Sequence, residues 1–307
     1  LCVLCTSRKG GQLWLNFPGD LASQQKLGGG PMPSSFVLAI EPTVSHEFDV
    51  DLGSHIHGVL FRLLQSVDAD LAEQIHDRWE KKPFTVSTVL DQRGKPLREL
   101  HPGQECFIRV TMLDDTIAEA LDKYFLTGRL QDIYLGGIRA VVHGVYLAGA
   151  AAGTEGAGPG QAVRRLCHRE TYDDLKAGAS ADVIRLSFLS PTTFRRAGRN
   201  FPLPDPEPMF VGLLNRWNLF SPTHLDGELL PDALARGAVV LSYHRIETAV
   251  IRLPKAMQIG FIGDVELRVL DEAIRATIST LARYAFYAGV GYKTSQGLGQ
   301  VLPHRLN

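Results

Sequence analysis

The stretch GVGYKTSQGLG, from Gly289 to Gly299, places four glycines within eleven residues. The preceding stretch, DEAIRATISTLARYAFYAG, has the apolar spacing of an amphipathic helix, and a short strand is predicted after the glycines. A dinucleotide-binding fold needs the order strand, glycine motif, helix, because the phosphate must meet a helix N-terminus. The order here is helix, loop, strand, which excludes that fold, and the P-loop pattern is absent as well.

Two interpretations of this glycine-rich loop stay open at the sequence level. One is a helix C-cap followed by a hairpin turn, for which a single glycine at Gly289 would suffice. In the other, the glycines let backbone N–H groups lie directly against a polyanion, as in an anion-binding nest, and Lys293 adds a positive charge. The number of glycines favours the second interpretation, and an RNA backbone fits its chemistry.

Along the chain, the predicted elements occur twice in the order β-α-β-β-α-β, which is the ferredoxin-like unit. In the first half, strands are predicted in FVLAIEPT, PFTVSTVL and CFIRVTML, and helices in HGVLFRLLQSVDADLAEQIHDRW and DDTIAEALDKYFLTG. Asp68 is a candidate N-cap in the middle of the first helical stretch. The sequence therefore predicts an α+β fold with two tandem ferredoxin-like domains and a C-terminal glycine-rich loop.

Composition places the boundaries between these parts. The small-residue stretch AGAAAGTEGAGPGQ indicates a linker over residues 148–163. The N-terminal domain is then expected over 36–147 and the C-terminal domain over 164–307. Residues 1–35 show poor patterning and are interpreted as a flexible or non-native N-terminal extension.

The overall composition is that of a globular protein without a membrane span. A length of 307 residues suggests two domains. The net charge of −1 argues mildly against a nucleic-acid binder, so only a local excess of basic residues supports that function. No apolar run is long enough to cross a membrane, and no signal-peptide layout is visible. Cys2 and Cys5 form a CxxC without a second ligand pair, so neither zinc nor another metal is expected, and the cysteines indicate reduced thiols in a cytosolic protein.

Two stretches together carry a resemblance to a known family: LAEQIHDRWEKKPFTVSTV and GVGYKTSQGLGQV. The chain resembles the RAMP superfamily and, within it, the CRISPR-associated endoribonucleases of the Cas "six" family, over residues 36–303. This resemblance implies a prokaryotic, cytoplasmic enzyme that needs no cofactor or metal. It also implies cutting of CRISPR repeat transcripts into guide RNAs by attack of a 2′-hydroxyl, leaving 2′,3′-cyclic phosphate and 5′-hydroxyl ends.

Other functions and partners are weighed against this enzyme. The alternative is a non-catalytic RAMP-type subunit that only binds guide RNA in a CRISPR effector complex, since such a subunit would also explain the loop. The expected partners are the repeat RNA and, as further candidates, effector-complex subunits, with the chain a monomer or a homodimer.

The resemblance also assigns candidate catalytic residues. His76, at the end of the first helical region, matches the family's catalytic histidine, and Lys82 matches a lysine before the Phe-Thr strand. A near-neutral imidazole suits proton transfer, and a lysine suits stabilisation of a charged transition state. The family often has a tyrosine where this chain has Phe61, so a helper role is expected at His57 or Arg62. His55 is a rival to His57, and the two could form a metal pair, although no third ligand is evident nearby.

Basic residues near the glycine-rich loop and in the segment 161–200 are candidates for RNA binding. That segment has an excess of arginine and lysine over acidic residues, with its densest part in FRRAGRN. An ordinary solvated surface is the competing interpretation. The predicted RNA-binding residues are Lys81, Arg62, Arg195, Arg196, Arg199, Gly289, Gly291, Lys293, Ser295, Gly297 and Gly299.

Overall fold

A computed structural model describes residues 2–3, 6–9, 12–15, 31–78, 81–126, 132–147, 160–177 and 180–304. The chain forms two compact units, Leu1–Arg169 and Glu170–Asn307. The division falls after the predicted domain start at residue 164. The reason is that His168 and Arg169 form a strand that pairs with Ser34 and Ser35 of the first unit. Most of the predicted linker lies outside the described residues.

The first unit consists of strands with helices inserted between them. Its elements are β1 (Cys2–Val3), β2 (Thr6–Lys9), β3 (Gln12–Leu15), β4 (Ser34–Pro42), β5 (His46–Glu47), α1 (Gly53–Val67), α2 (Ala69–Arg78), β6 (Phe84–Leu90), β7 (Glu99–Leu100), β8 (Cys106–Met112), α3 (Asp115–Leu126), β9 (Ile133–Leu135), β10 (Ile138–Leu147), α4 (Gln161–Arg164) and β11 (His168–Arg169).

The main sheet of the first unit has the strand order β10-β4-β8-β6, with antiparallel pairing throughout. In this order the first and third strands of the β-α-β-β-α-β unit are central, as in a ferredoxin-like fold. The order of elements predicted from the sequence is therefore confirmed. Part of the predicted N-terminal extension also pairs, since Cys2 and Val3 lie beside Leu147 and Tyr146.

The helices of the first unit cover one face of this sheet. α1 turns Ile56, Leu60 and Leu64 toward the sheet at helical spacing. α2 begins after Asp68, whose side chain accepts a hydrogen bond from the backbone N–H of Leu71 over 2.9 Å. Asp68 is therefore the predicted N-cap, and it divides the helical stretch into two helices. Ile75 of α2 is fully buried in the same core, so α2 cannot rotate without exposing it.

The second unit repeats the plan. Its elements are α5 (Tyr172–Ala177), β12 (Val183–Thr192), β13 (Phe194–Arg196), β14 (Arg199–Phe201), α6 (Pro206–Phe220), α7 (Leu230–Ala235), β15 (Val239–Leu253), β16 (Ala256–Val269), α8 (Glu272–Ala288), a 3₁₀ turn (Thr294–Gln296) and β17 (Val301–Pro303).

The sheet of the second unit has the order β15-β16-β12-β17, all antiparallel, which again places the first and third strands in the centre. The helices α5, α6 and α8 contact one another through aromatic side chains. The ring of Trp217 lies 5.0 Å from that of Tyr172 and 5.1 Å from that of Tyr284. The buried face of α8 and these rings fix the end of α8, where the glycine-rich loop begins.

The structure differs from the sequence-based prediction in the segment after β12. β12 itself runs through Pro191 to Thr192, with an irregular register against β16. The basic stretch FRRAGRN then forms the hairpin β13–β14, which sequence patterning missed because only three residues pair on each side. No helix within the described residues is long and apolar enough to cross a membrane.

Candidate functional site

His76 lies on an exposed face of α2, near the helix end. The ammonium group of Lys82 donates hydrogen bonds to the carbonyl oxygens of Ile75 and His76, each over 2.9 Å. Carbonyl groups in the last turns of a helix lack partners within the helix, and a cation is favourable there. Lys82 is thus fixed against the turn that carries His76.

Phe61 connects this turn with α1. Its ring centroid lies 5.9 Å from that of His76 and 5.0 Å from that of His57, and the Nζ atom of Lys82 lies 5.8 Å from the same centroid. His57 and Phe61 are neighbours on one face of α1 because they are four residues apart. The structure therefore gathers all three predicted catalytic residues into one cluster, which we call the His–Lys cluster: His57, His76 and Lys82 around Phe61.

Phe84, near the start of β6, supports the cluster from the sheet side. It is fully buried, and its ring lies 5.4 Å from that of His57 and 5.6 Å from that of Phe61. The rings of His57 and Phe61 are partly buried, whereas His76 is exposed. The arrangement offers an accessible imidazole beside a fixed ammonium group, which are the groups needed to move a proton and to stabilise a developing negative charge.

His55 faces away from the cluster. Two residues along a helix correspond to a rotation of about 200°, so His55 and His57 lie on different sides of α1. The His55 ring lies 6.4 Å from that of Phe48, and burial lowers the pKa of His55. Within the described residues, no group of three or more His, Cys, Asp or Glu side chains could hold a metal ion. Cys5 of the predicted CxxC lies outside the described residues.

Two further basic residues near this site, Arg62 and Lys81, are predicted to bind RNA. Arg62 is exposed, and its Nη2 atom donates to the carbonyl oxygen of Tyr134 over 3.3 Å. Lys81 is exposed in the turn that follows α2. Of the two predicted helper residues, His57 places its ring against Phe61, whereas the guanidinium of Arg62 donates to Tyr134.

The glycine-rich loop is bonded to its own unit through its backbone. The N–H of Tyr292 donates to the carbonyl of Thr193 over 2.9 Å, and that of Gly299 donates to the carbonyl of Pro191 over 3.2 Å. The N–H of Val290 donates to the carbonyl of Gly299 over 2.9 Å. These amides are consequently used within the protein, unlike the amides of an open anion-binding nest.

The same contacts explain why glycine is needed here. A Cβ at Gly291 would lie 2.5 Å from the carbonyl oxygen of Thr193, and one at Gly299 would collide with the carbonyl oxygen of Val290. Both glycines also have positive φ angles, 85° and 66°. The sequence-based argument attributed the glycines to the approach of RNA, but at these two positions the protein's own backbone is sufficient reason.

A basic and aromatic group lies beside the loop. The Cζ atom of Arg195 lies 5.1 Å from the ring centroid of Tyr292, and its Nη1 donates to the Tyr292 hydroxyl over 3.2 Å. The Nζ of Lys293 lies 5.6 Å from the same centroid. Tyr292 thus brings together two predicted RNA-binding cations that are far apart in the sequence. Tyr292 itself was missed, although its place beside Lys293 within the glycine-rich stretch was a usable signal.

Arg196 differs from Arg195, its neighbour in the sequence. It forms ion pairs with Asp205, over 2.6 Å, and with Glu207, over 3.4 Å. Asp205 is the N-cap of α6, so this arginine is engaged at a helix start. Arg199 is exposed at the other side of the hairpin turn. Ser295 is partly buried in the 3₁₀ turn, and the buried Gly297 follows it with φ of 94°.

The comparisons with known proteins agree with the fold. The family model described as the CRISPR Cas6 N-terminal domain matches residues 32–146, and the model described as CRISPR-associated endoribonuclease Cas6 matches residues 186–301. These matches cover the main sheets of both units. Each unit carries a ferredoxin-like sheet, and the fold is similar to that of a solved RAMP protein, with a TM-score of 0.56 at 12% identity. The chain belongs to the Cas6 family.

Individual relatives are more distant. The chain is 28% identical to the CRISPR-associated endoribonuclease Cas6 of Mycobacterium tuberculosis over 122 residues, which cover 38% of each protein. The match therefore spans well under half the length of that relative. Among solved structures, Thermus thermophilus Cas6 (TTHB231) is 25% identical with a TM-score of 0.64, covering 90% of this chain and all of that one. A product complex of Cas6 (TTHB231) has a TM-score of 0.72 at 24% identity, covering 89% of this chain and 99% of that one.

Proposed function

We propose that this chain cleaves CRISPR repeat transcripts into guide RNAs by a metal-independent reaction in which the RNA supplies the nucleophile. The observation that carries the proposal is the His–Lys cluster, in which an exposed histidine lies on a turn fixed by a lysine. A subunit that only binds RNA would need neither group in this arrangement. Membership of the Cas6 family and the name of the matched family model support the same activity.

In the proposed reaction, the 2′-hydroxyl beside the scissile phosphate attacks the phosphorus atom. The bond from phosphorus to the 5′-oxygen breaks, which leaves a 2′,3′-cyclic phosphate and a 5′-hydroxyl. One proton must leave the 2′-hydroxyl, and one must reach the departing oxygen. His76 is assigned one of these transfers because imidazole changes its charge near neutral pH.

Lys82 is assigned the stabilisation of the negative charge that develops on the phosphoryl oxygens. Its ammonium group is already oriented by the carbonyls of Ile75 and His76, so little reorganisation is needed when the charge appears. His57, beside Phe61, is assigned a supporting role in proton transfer. The second unit contributes to RNA binding through Arg195, Lys293 and the surface of the glycine-rich loop, with phosphate groups as the partners.

Two RNAs test this proposal together. A repeat RNA should be cut in excess EDTA, and its products should carry the cyclic phosphate and the 5′-hydroxyl. A matched RNA with a single 2′-deoxy sugar just upstream of the scissile phosphate should bind with nearly unchanged affinity, because most contacts are to phosphates and to other bases. It should not be cut, since no protein group replaces the missing hydroxyl.

The outcomes distinguish the alternatives. Cleavage of the deoxy RNA at the same bond would mean that water is the nucleophile, and activity that requires a divalent ion would mean a metal-dependent nuclease. If both RNAs bind and neither is cut, the chain acts instead as a non-catalytic RNA-binding subunit of the RAMP type.

A further inference from the structure

We infer that the hydrogen bond between Arg216 and Thr294 holds the glycine-rich loop in its RNA-binding conformation. Both are therefore positioning residues. The inference rests on the proposed function, because RNA binding is the property that this hydrogen bond would support. Neither residue stood out in the sequence. Arg216 lies within α6, and Thr294 lies between Lys293 and Ser295, which were both predicted to bind RNA.

The guanidinium of Arg216 bonds to two parts of the chain, one just before the loop and one within it. Its Nη1 atom donates to the carbonyl oxygen of Ala288 over 2.5 Å and to the hydroxyl oxygen of Thr294 over 2.6 Å. Ala288 is the last residue of α8, where the helix leaves carbonyl groups without helical partners. One side chain thus connects the end of the helix with the middle of the loop that follows it.

Thr294 is also the packing centre of the loop. Only 5% of its surface is exposed. A Cβ at either Gly289 or Gly299 would lie 3.0 Å from its Cγ2 methyl group, so the methyl group fits between the first and the last glycine of the loop. The hydroxyl is therefore directed to Arg216 while the methyl group closes the base of the loop.

This hydrogen bond determines the positions of the neighbouring residues Tyr292 and Lys293. Lys293 has a φ of 58°, a left-handed conformation that a lysine adopts only when its surroundings hold it there. It directly precedes Thr294, and Tyr292 precedes Lys293. If Thr294 loses its bond to Arg216, the loop can relax, and the cations around Tyr292 are no longer held in one arrangement.

Burial supports a structural rather than a titrating role for Arg216. Its Nε atom is enclosed by protein, and burial lowers the pKa of the guanidinium from its ordinary value. An arginine nevertheless stays charged at physiological pH, so both hydrogen bonds are charge-assisted and directional. Such bonds are stronger than those between neutral groups, and this suits a side chain that must hold a loop.

The test is Thr294→Val, which keeps the size and the methyl group but removes the acceptor oxygen. Thr280→Val is the matched control, because Thr280 is a similarly buried threonine, 3% exposed, in the middle of α8. Thr294→Ser keeps the hydroxyl and should act as the conservative rescue. For each variant, we would measure hydrogen exchange of the segment 289–300, the Kd for the deoxy repeat RNA, and the single-turnover cleavage rate at saturating RNA.

We expect Thr294→Val to speed exchange in the loop and to raise Kd by about 3- to 10-fold. This is less than the full effect of a lost charge-assisted hydrogen bond, because the bond is internal to the protein and acts on RNA only through the loop. Cleavage of RNA that is already bound should keep its rate, since the His–Lys cluster is unchanged. Thr294→Ser keeps the acceptor oxygen but lacks the packed methyl group, so it should stay closer to the wild type than Thr294→Val does. Thr280→Val should resemble the wild type. Arg216→Met combined with Thr294→Val should be no worse than Arg216→Met alone, because the two changes remove the same bond.

Several results would overturn the inference. Unchanged loop exchange in Thr294→Val would show that the bond does not hold the loop, and faster exchange with unchanged Kd would show that the loop shape does not serve RNA. A lower saturated rate with unchanged Kd would place the residues in another role. If the wild type binds repeat RNA and Thr294→Val binds it equally well, this inference alone is contradicted. If the wild type binds no repeat RNA, the proposed function is contradicted as well.

Discussion

The Nζ atom of Lys82 lies 2.9 Å from the carbonyl oxygen of His76. The cation of the His–Lys cluster is therefore hydrogen-bonded to the backbone of the residue to which we assign proton transfer. This single contact links the position of the charge to the position of the imidazole, so a change at Lys82 should affect both catalysis and the helix end.

Lys82→Ala should lower the single-turnover cleavage rate by ~10²–10³-fold, as expected when a group that stabilises transition-state charge is lost. It should also lower the free energy of unfolding by ~1–3 kcal/mol, because the carbonyls of Ile75 and His76 lose their partner. Rapid-quench kinetics and urea unfolding measure the two effects. Lys123→Ala is the control, since Lys123 is an exposed lysine in the last turn of α3. Equal rates for the two variants would remove Lys82 from the reaction.

His76→Ala should lower the cleavage rate by ~10²–10⁴-fold, the usual contribution of a general acid or base. RNA affinity should stay nearly unchanged, because phosphate groups are bound mainly by lysine and arginine side chains. Filter binding and single-turnover kinetics separate the two quantities. His101→Ala, at another exposed histidine of the same unit, serves as the control. A near-wild-type rate for His76→Ala would transfer the assignment to His57.

His57→Ala should have a smaller effect, about 10-fold, equivalent to ~1.4 kcal/mol of lost transition-state stabilisation. Its ring contacts Phe61, so a hydroxyl placed on Phe61 would enter the same cluster. We therefore expect Phe61→Tyr to restore part of the rate in the His57→Ala background. Single-turnover rates of the two single variants and the double variant provide the test. If the losses of cleavage rate in the two single variants simply add in the double variant, His57 does not perform the role that the resemblance assigns to a tyrosine at position 61.

Arg195→Ala should weaken RNA binding more than Arg196→Ala. Arg195 lies over Tyr292 near Lys293, whereas Arg196 is held by Asp205 and Glu207. A cation that contacts a phosphate also contributes to the salt dependence, so the slope of log K against log salt should fall by about 1 for Arg195→Ala. Titrations at several salt concentrations measure this slope, with Arg236→Ala as an exposed control. A larger loss in Arg196→Ala would mean that its ion pairs open when RNA binds.

The two buried cysteines should make stability depend on alkaline pH. Burial raises the pKa of Cys106 and that of Cys167 to about 12, above the ordinary value of 9.0. The folded chain therefore holds these thiol protons more tightly than the unfolded chain does. The resulting stability is complete below pH 9 and is lost between about pH 9 and 12, by up to ~1.4 kcal/mol per pH unit for each thiol.

Urea unfolding of the wild type and of Cys106→Ala across this pH range measures the effect. The variant should lose about half of the thiol-dependent slope. In the native protein, Cys106 and Cys167 should also resist a thiol reagent at pH 8, because a buried thiol with a raised pKa forms little thiolate. Rapid labelling of Cys106 in the folded protein would contradict the assigned burial.

Much of the fold could be predicted because its signals are local. Apolar spacing of 3.6 residues identified α1, α2 and α8, alternating and β-branched runs identified the central strands, and Asp68 marked the break between two helices. The repeated order of elements then gave two ferredoxin-like units. His76, Lys82 and the glycine-rich loop could be chosen as site residues because their spacing within short motifs resembles that of the family.

The rest depended on contacts between residues that are distant in sequence. The central place of Phe61 in the His–Lys cluster, the contact of Arg195 with Tyr292, and the bond from Arg216 to Thr294 all follow from how strands and helices pack. Sequence spacing encodes which face of an element is apolar, but it does not encode which distant element meets that face. Only the three-dimensional packing therefore reveals that the backbone amides of Val290, Tyr292 and Gly299 are bonded within the protein, and which arginines are held by carboxylates.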